Sequence, residues 1–581
     1  MSVPTRQRLI LTALLLVGAI VFSIGINWGL PSRDIDPHLF ATTKPWTGQQ
    51  FIEAGGAWSP DPTRPADAAT RPTEDRSKTI WLNETPKQQA DIIRRYRLFS
   101  AQPDEMVTFM ALAGMRTSHF DPRMYQYGGL WIYPVGALLK AASIISAVEL
   151  KPDFQTYLDH PEAFGRFYIV ARIYSAVWGL VGIAAVFHLV KRFSNRLIVP
   201  TAAAACFLFM PVVINAAHEA KPHLAGAVLV LLTVLAAVKY VETALTKWWI
   251  ITGITAGLAV GMVLSSAIGL LVIPLMTLLR SQSWKARAKI TCAAVAMAIG
   301  VYCLTNPFVP INLLRNPAVV RDNFAALSNA KAISGKSTDI AAIPNARRLI
   351  IDGASMVGGV TGLIGLLIMA VNHTWWRNRR WRNVTVLLGV PSFLVLIQFT
   401  MLAAGKQGEF GRFFILPDVA LVLLAVVLAS CIGWGEKFEA GILVLLVAVA
   451  GFQGLSYLAA FLEDARGNTA ARTIAAARLK DLWNHGARTL AIRSDPAPYC
   501  LPPIDITAWR LQLLPYNWQP TTNNAPDVIV TPVDEISTQA ELPGTPYTRT
   551  FITGNRPWLK NRITWADKPF EILVRREMIR R

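Results

Sequence analysis

The stretch Leu224-Ala225-Gly226-Ala227-Val228-Leu229-Val230-Leu231-Leu232-Thr233-Val234-Leu235-Ala236-Ala237-Val238 decides the fold class. It carries no charge. With its flanks it makes an apolar run near 223–242, and about 18–20 such residues suffice to cross a bilayer as a helix. Runs of the same kind lie near 9–28, 130–149, 168–190, 197–216, 248–279, 288–306, 351–371, 383–403, 413–433 and 439–461. They predict an α-helical polytopic membrane protein of about 11–12 transmembrane helices. The run 248–279 would be about 48 Å long as one helix, against about 30 Å of hydrocarbon. It reads either as one tilted helix or as two short ones turning near Ser265-Ser266. The first run follows Arg6 and Arg8, and no small-residue cleavage site stands where it ends, so it reads as a signal anchor.

The composition agrees. Of 581 residues, 53% are hydrophobic and 16% charged, against about 25% charged in an average soluble domain. Mean hydropathy is +0.37. A disordered chain, a collagen and a disulfide scaffold are excluded. The formal charge is +20. The clusters Lys191-Arg192 with Arg196, Arg280 with Lys285, Arg287 and Lys289, and Arg377, Arg379, Arg380 and Arg382 all flank runs in short loops. The excess therefore reads as the positive-inside signal of cytoplasmic loops, and no nucleic-acid partner is expected.

Three polar regions exceed turns: 30–127, 307–350 and 462–581, all placed outside by alternation. The alternation is imperfect. Two runs separate the first loop from Lys191, where an odd number of crossings is needed. Either 130–149 or 168–190 is expected to be re-entrant or membrane-lying, or the loop assignment fails. The chain thus divides into a transmembrane module, 1–461, and an extracytoplasmic domain, 462–581. In the latter, Ala470–Trp483 has helical spacing, while 488–493 and 527–531 read as short strands between Pro- and Asn-rich loops, predicting a small α/β domain. Cys206, Cys292, Cys303 and Cys431 lie in or beside apolar runs and Cys500 lies outside them, so no disulfide framework is visible.

Candidate chemistry concentrates in the outer loops. Pro103-Asp104-Glu105 reads as a helix start, its carboxylates complementing the positive helix end. Phe120-Asp121-Pro122-Arg123 and Tyr127-Gly128-Gly129-Leu130 form an aromatic, Gly- and Pro-rich lead into the second run. His218-Glu219-Ala220-Lys221-Pro222-His223 comes within one residue of the zinc pattern His-Glu-x-x-His. Its histidines are at i and i+5 with Pro222 between them, which misses the shared helix face a zinc pair needs. Arg412 opens the run 413–433 on the outer side, against the positive-inside trend, where its planar fork suits an oxyanion.

The ordered set of Gly-Leu-Pro after the first run, Pro103-Asp104-Glu105, Asp121-Pro122, Tyr127 to Pro134, Gly165-Arg166, Arg172-Ile173-Tyr174, His218 to His223, Asn306-Pro307-Phe308 and Gly411-Arg412-Phe413 resembles the GT-C superfamily of polytopic glycosyltransferases. It is similar to the group with protein O-mannosyltransferases and lipid A aminoarabinose transferases, over roughly 9–433. The resemblance implies an integral, multi-pass protein of the plasma (inner) membrane with its active site on the extracytoplasmic side. It implies transfer of a hexosyl or pentosyl group from a polyprenyl-phosphate sugar to a glycan, lipid or protein acceptor, with inversion. Asp104 is then the leading base and Glu105 its neighbour, in an order that stays open. Arg412 leads the donor-phosphate contacts, with Lys221, His223, Arg172 and Lys406 behind it. Glu219, His218 and Tyr127 fall to the acceptor side or a second acidic site. No cofactor is certain, and a divalent metal stays open. The sequence departs from the family pattern in three places: Gly128-Gly129 replace a Pro-Pro pair, Ser265-Ser266 stand where a Lys is common, and the second-loop motif ends in His223 where an Asp is common. The competing reading is a transporter or flippase for a lipid-linked or amphiphilic substrate. It would favour charged residues within the spans or an internal repeat; no repeat is evident, and the spans carry almost no ionisable residues.

Overall fold

The computed structural model describes residues 3–55, 78–116, 118–334, 342–402, 411–431, 435–494, 496–515, 518, 525–533, 544–554 and 563–579. Each predicted apolar run falls on helix. Among the described residues, six helices are long and apolar enough to span a bilayer: Pro4–Ser23, Pro161–Val190, His223–Thr243, Trp284–Thr305, Arg379–Gln398 and Glu436–Arg466. The pair Ile198–Phe209 and Pro211–Ala217 makes a seventh if counted as one span bent by 57°. The bend sits at Pro211, which lacks the N–H that would continue the helix. Shorter apolar helices, among them Gly129–Ile144, Met356–Val371 and Ile415–Ala429, account for the other runs. The chain is an integral, multi-pass membrane protein.

Two sequence ambiguities are reduced. Of the runs 130–149 and 168–190, the second is a helix of 30 residues while the first has 16, fewer than the roughly 20 a crossing takes. The run 248–279 is broken: Thr246–Met262 ends at Val263, whose backbone is extended, and a 3-10 turn, Leu264–Leu271, leads into Val272–Leu279. The break falls just ahead of Ser265-Ser266. The region 307–350 is largely helical, with Phe308–Arg315, Pro317–Ser334 and the start of Ala342–Gly353.

The chain forms two compact units. The helical unit comprises Met1–Ile24, Gly114–Gly136 and Arg172–Leu458; the mixed unit comprises Gly25–Ala113, Ala137–Ala171 and Ala459–Arg581.

The mixed unit holds a six-stranded sheet. Its strands are β1 (Ile80–Trp81), β2 (Thr489–Ile492), β3 (Arg510–Leu513), β4 (Val528–Pro532), β5 (Tyr547–Ile552) and β6 (Phe570–Arg575), in the order β1-β3-β2-β4-β6-β5. β2 pairs in parallel with β3 and β4, and the remaining pairs are antiparallel. Strands β2 and β4 were legible in sequence. β1 was not: it comes from the first polar loop, and Ile80 pairs with Leu513. Asn83 locks it there. Its side-chain nitrogen donates to the carbonyls of Ile506 and Trp509, both at 2.6 Å, and its oxygen accepts from Leu511 N at 2.9 Å. Asn83 is buried, so each of these bonds also prevents an unsatisfied polar group. Helix Pro86–Leu98 follows, started by a capping box between Thr85 and Gln88. Tyr96 hydrogen-bonds the carbonyl of Leu501, and Arg97 pairs with Asp36 at 2.7 Å.

Candidate active site

In the helical unit, the segment before helix Gly129–Ile144 docks on the break at Val263. Tyr127 forms an isolated antiparallel bridge with Val263. Gly128 N donates to Met262 O, and Leu264 N donates to Gln126 O, both at 3.0 Å. A Cβ on Gly128 would overlap the carbonyl oxygen of Gly261, and one on Gly129 that of Thr305. Backbone lies directly on backbone here, and only glycine permits it. That accounts for the departure from Pro-Pro: Gly129 also needs its N–H, which donates to Asn306 Oδ1 at 2.7 Å. The break in 248–279 and the Tyr-Gly-Gly motif are two sides of one contact.

His223 starts helix His223–Thr243. Its ring packs edge-to-face between Tyr127 and Phe413, with centroids 5.6 and 5.0 Å away. Arg412 lies in a 3-10 turn, Gly411–Phe413, with its guanidinium carbon 5.1 Å from the Phe413 ring centre. His223, Ser265, Ser266, Arg412 and Phe413 line one cleft of about 360 Å³, counting its open mouth. An arginine fork, an imidazole and two hydroxyls converge on it. This is the donor set an anionic oxygen cluster needs.

The turn 218–222 forms a second polar set. Lys221 Nζ lies 3.5 Å from Glu219 Oε2, with both side chains nearly inaccessible to solvent. Asn215 Nδ2 donates to Glu219 Oε1 at 3.1 Å. Ser175 Oγ donates to the Glu219 carbonyl at 2.6 Å, from the same helix that carries the fully buried Arg172. The His218 ring nitrogens lie 2.8 and 2.9 Å from the carbonyls of Ile214 and Ile24, which makes this ring a clamp between backbone segments. Lys406 lies outside the described residues.

In the mixed unit, Glu105 starts helix Glu105–Gly114 and is wholly buried, with Ser100 Oγ donating to its Oε2 at 2.5 Å. Gln102 Oε1 accepts from Asp104 N and Glu105 N at 2.7 and 3.1 Å, capping the helix in place of the aspartate. Asp104 is half-buried. The helix is wedged by Phe109, whose ring meets Tyr168, Phe164 and Phe167 edge-on at 4.8–6.0 Å. Tyr168 in turn donates to the Leu98 carbonyl at 2.7 Å. The two adjacent carboxyls are thus unequal: Glu105 is enclosed and held, and Asp104 is reachable.

The structure therefore gathers His223 and Arg412 around one cleft, with Tyr127 packed on the His223 ring, and Glu219, Lys221 and His218 on one turn, while Asp104 and Glu105 belong to the mixed unit. Sequence reasoning assigned no role to several residues. Asn306 holds the Gly-Gly clamp. Asp121 accepts from Asn312 Nδ2 at 2.7 Å and from Tyr125 Oη at 3.1 Å. Burial, and then the charge of Asp121, pushes the Tyr125 hydroxyl upward. Asp418 is wholly buried, with no hydrogen bond to either carboxylate oxygen among the described residues. A lone acid within the apolar run 413–433 was its visible signal.

Residues 162–306 match the family of dolichyl-phosphate-mannose-protein mannosyltransferases. No curated protein matches the chain. Among solved structures, ArnT from Cupriavidus metallidurans bound to undecaprenyl phosphate is 15% identical, aligned over 63% of this chain and 68% of its own, with a TM-score of 0.39. The Archaeoglobus fulgidus oligosaccharyltransferase in complex with Zn and sulfate is 14% identical, over 59% of this chain and 46% of its own, at 0.37. The S. cerevisiae protein O-mannosyltransferase Pmt1–Pmt2 complex bound to the sugar donor is 14% identical, over 52% of this chain and 34% of its own, at 0.28. The chain thus spans less than half the length of the last two. Similarity at these scores carries no argument of its own. The family match falls on the segment that holds Arg172, Glu219, Lys221 and His223, in line with the resemblance read in the sequence.

Proposed function

We propose that the protein transfers a sugar from a polyprenyl-phosphate donor to an acceptor hydroxyl at the outer face of the plasma membrane, with inversion. One observation carries this reading: the cleft where Arg412, His223, Ser265 and Ser266 converge has the donors for a phosphate headgroup. Asp104 accepts the acceptor's hydroxyl proton. The acceptor oxygen forms its bond to the anomeric carbon from the side opposite the leaving group. The bond from that carbon to the phosphate oxygen breaks, and its electron pair stays on the polyprenyl phosphate. The leaving group is already anionic, so cationic stabilisation by Arg412 serves it better than a protonating acid. One carboxylate base is then enough, unlike the pair a glycosidase uses. Glu105, fixed by Ser100, orients the loop beside Asp104. Lys221 and Arg172 support the phosphate side, and Glu219 is balanced by Lys221. Among the described residues no three His, Cys, Asp or Glu are grouped to hold a metal ion, and no step above is routed through one.

The test is transfer from polyprenyl-phosphate sugars to glycan, lipid and peptide acceptors by the wild type and by Asp104→Asn, Glu105→Gln and Arg412→Ala. Loss in Asp104→Asn and Arg412→Ala supports the reading. Unchanged transfer in Asp104→Asn and Glu105→Gln alike removes the base. Consumption of no donor, together with lipid movement across vesicles, would favour the flippase.

A further inference from the structure

The mixed unit contains a cleft that the reaction above does not use. It is about 520 Å³, counting its open mouth. Three distant segments build it: His38 and Thr42 from the first polar loop, Lys480, Trp483 and Asn484 from the end of helix Ala471–Asn484, and the loop 503–509 ahead of β3.

Its walls are preformed. Asp505 Oδ2 accepts from Thr42 N and Thr42 Oγ1, both at 2.7 Å, and Oδ1 accepts from Thr507 N and Oγ1 at 2.9 and 2.6 Å. Burial opposes the charge on Asp505, but these hydrogen bonds outweigh it and hold the carboxyl below its ordinary range. Its acceptor capacity is therefore spent on joining two walls. Asn83 fixes the same loop through Ile506 and Trp509. Arg488 sits 4.8 Å from the ring centre of Trp483 and braces that indole.

The unspent groups are of a different kind. Among the described residues, His38 Nδ1 and Trp483 Nε1 are buried and lack hydrogen-bond partners. Burial, and then the charge of Lys480, holds His38 below its usual range, so the ring is neutral and offers one donor and one acceptor. Lys480 and Asn484 stand exposed beside them. An apolar ligand would leave these groups without partners. A phosphate would find one cation, Lys480, and a nearby carboxylate. A pyranose ring matches what remains: its C–H face lies on indole, and its hydroxyls both donate and accept.

We infer that this cleft is a sugar-binding site that holds a residue of the acceptor glycan or of the growing product. The inference rests on the glycosyltransferase reading for the origin of the sugar, but not for the binding itself. Tethering an acceptor through a second site raises its effective concentration without any new contact at the reacting atoms.

The test uses the full chain in detergent or nanodiscs. Methyl glycosides of glucose, galactose and mannose, and methyl glucuronide as an acidic arm, are titrated by ligand-observed NMR and indole fluorescence. Saturable millimolar binding that weakens at least about tenfold in Trp483→Phe and in His38→Ala is expected. Lys480→Ala, at an exposed position, should weaken the glucuronide more than the neutral glycosides. Thermal unfolding shows that the variants are folded. Absence of binding to every probe, or binding unchanged in Trp483→Phe, His38→Ala and Lys480→Ala, overturns the site. Sugar binding that depends on these residues in a protein that consumes no lipid-linked sugar would keep the site and reject the glycosyltransferase reading. Donor consumption without sugar binding would do the reverse.

Discussion

Glu219 in the helical unit and Glu105 in the mixed unit are both buried glutamates at candidate sites, and they are held by different kinds of group. Glu219 has an ammonium 3.5 Å away and an amide donor at 3.1 Å. Glu105 has a serine hydroxyl at 2.5 Å and a glutamine that caps the adjoining backbone. A charge neutralised by its own neighbour is a poor proton acceptor and a good strut. Ser100 and Gln102 fix Glu105 beside the reachable Asp104, in the loop proposed to take up a proton. The difference teaches that burial of an acid does not identify a catalytic acid; the kind of partner does.

The comparison can be broken at its strongest point first. Asp104→Asn should lower kcat by about a thousandfold, since general base catalysis contributes roughly 10²–10⁴. Single-turnover transfer would measure it, and a larger loss in Glu105→Gln than in Asp104→Asn would reverse the two roles. Glu219→Gln should instead act on stability. It removes the carboxylate beside Lys221 and should cost about 3 kcal/mol in thermal unfolding, with part of the loss recovered in Glu219→Gln/Lys221→Gln. A double variant no better than the single one would show that Glu219 is more than a strut. Arg412→Lys keeps the charge and loses the fork, so transfer should fall about thirtyfold, mostly as a raised KM for the lipid donor. An unchanged KM for the donor would take Arg412 away from the phosphate.

How far the sequence carried this is uneven, for physical reasons. Apolar runs announce helices because the bilayer demands some 20 uncharged residues, and all the runs were legible. The Gly128-Gly129 pair was visible only as a departure. Its cause, backbone contact with Gly261 and Thr305, joins segments more than a hundred residues apart and has no local signature. β1 has two residues, too few for any alternation to show. The inequality of Asp104 and Glu105 was equally hidden. It arises from Ser100 and Gln102, which look like ordinary loop residues until the chain turns back on them.

The smallest predicted effect sharpens the same lesson about acids. Asp567 in the mixed unit is pushed up to about 7 by burial, with Asp464 and Glu463 adding to the effect against a hydrogen bond from Ala471 N. Its folded value lies above the unfolded one, so the folded state holds the proton more tightly. Stability from this group is full at pH below about 4 and is lost as pH rises toward 7 and beyond. Asp567→Asn should flatten that dependence and raise stability at pH 8 by about 1–2 kcal/mol. Parallel melts of wild type and variant between pH 5 and 8 would check it, and parallel curves would show that Asp567 is ionised throughout.

The bonds of Asn83 have a consequence for synthesis. Its partners Ile506, Trp509 and Leu511 lie 423–428 residues further along the chain. At roughly 5–20 residues per second, the ribosome needs on the order of 20–90 s after making Asn83 before it delivers them. Throughout that interval the segment leading to Asp104 is without its sheet neighbour, while most of the apolar helices have already emerged. A nonsense mutation between residues 467 and 505 would therefore leave those helices and their cleft translated, with the loop that carries the proposed base lacking its anchor.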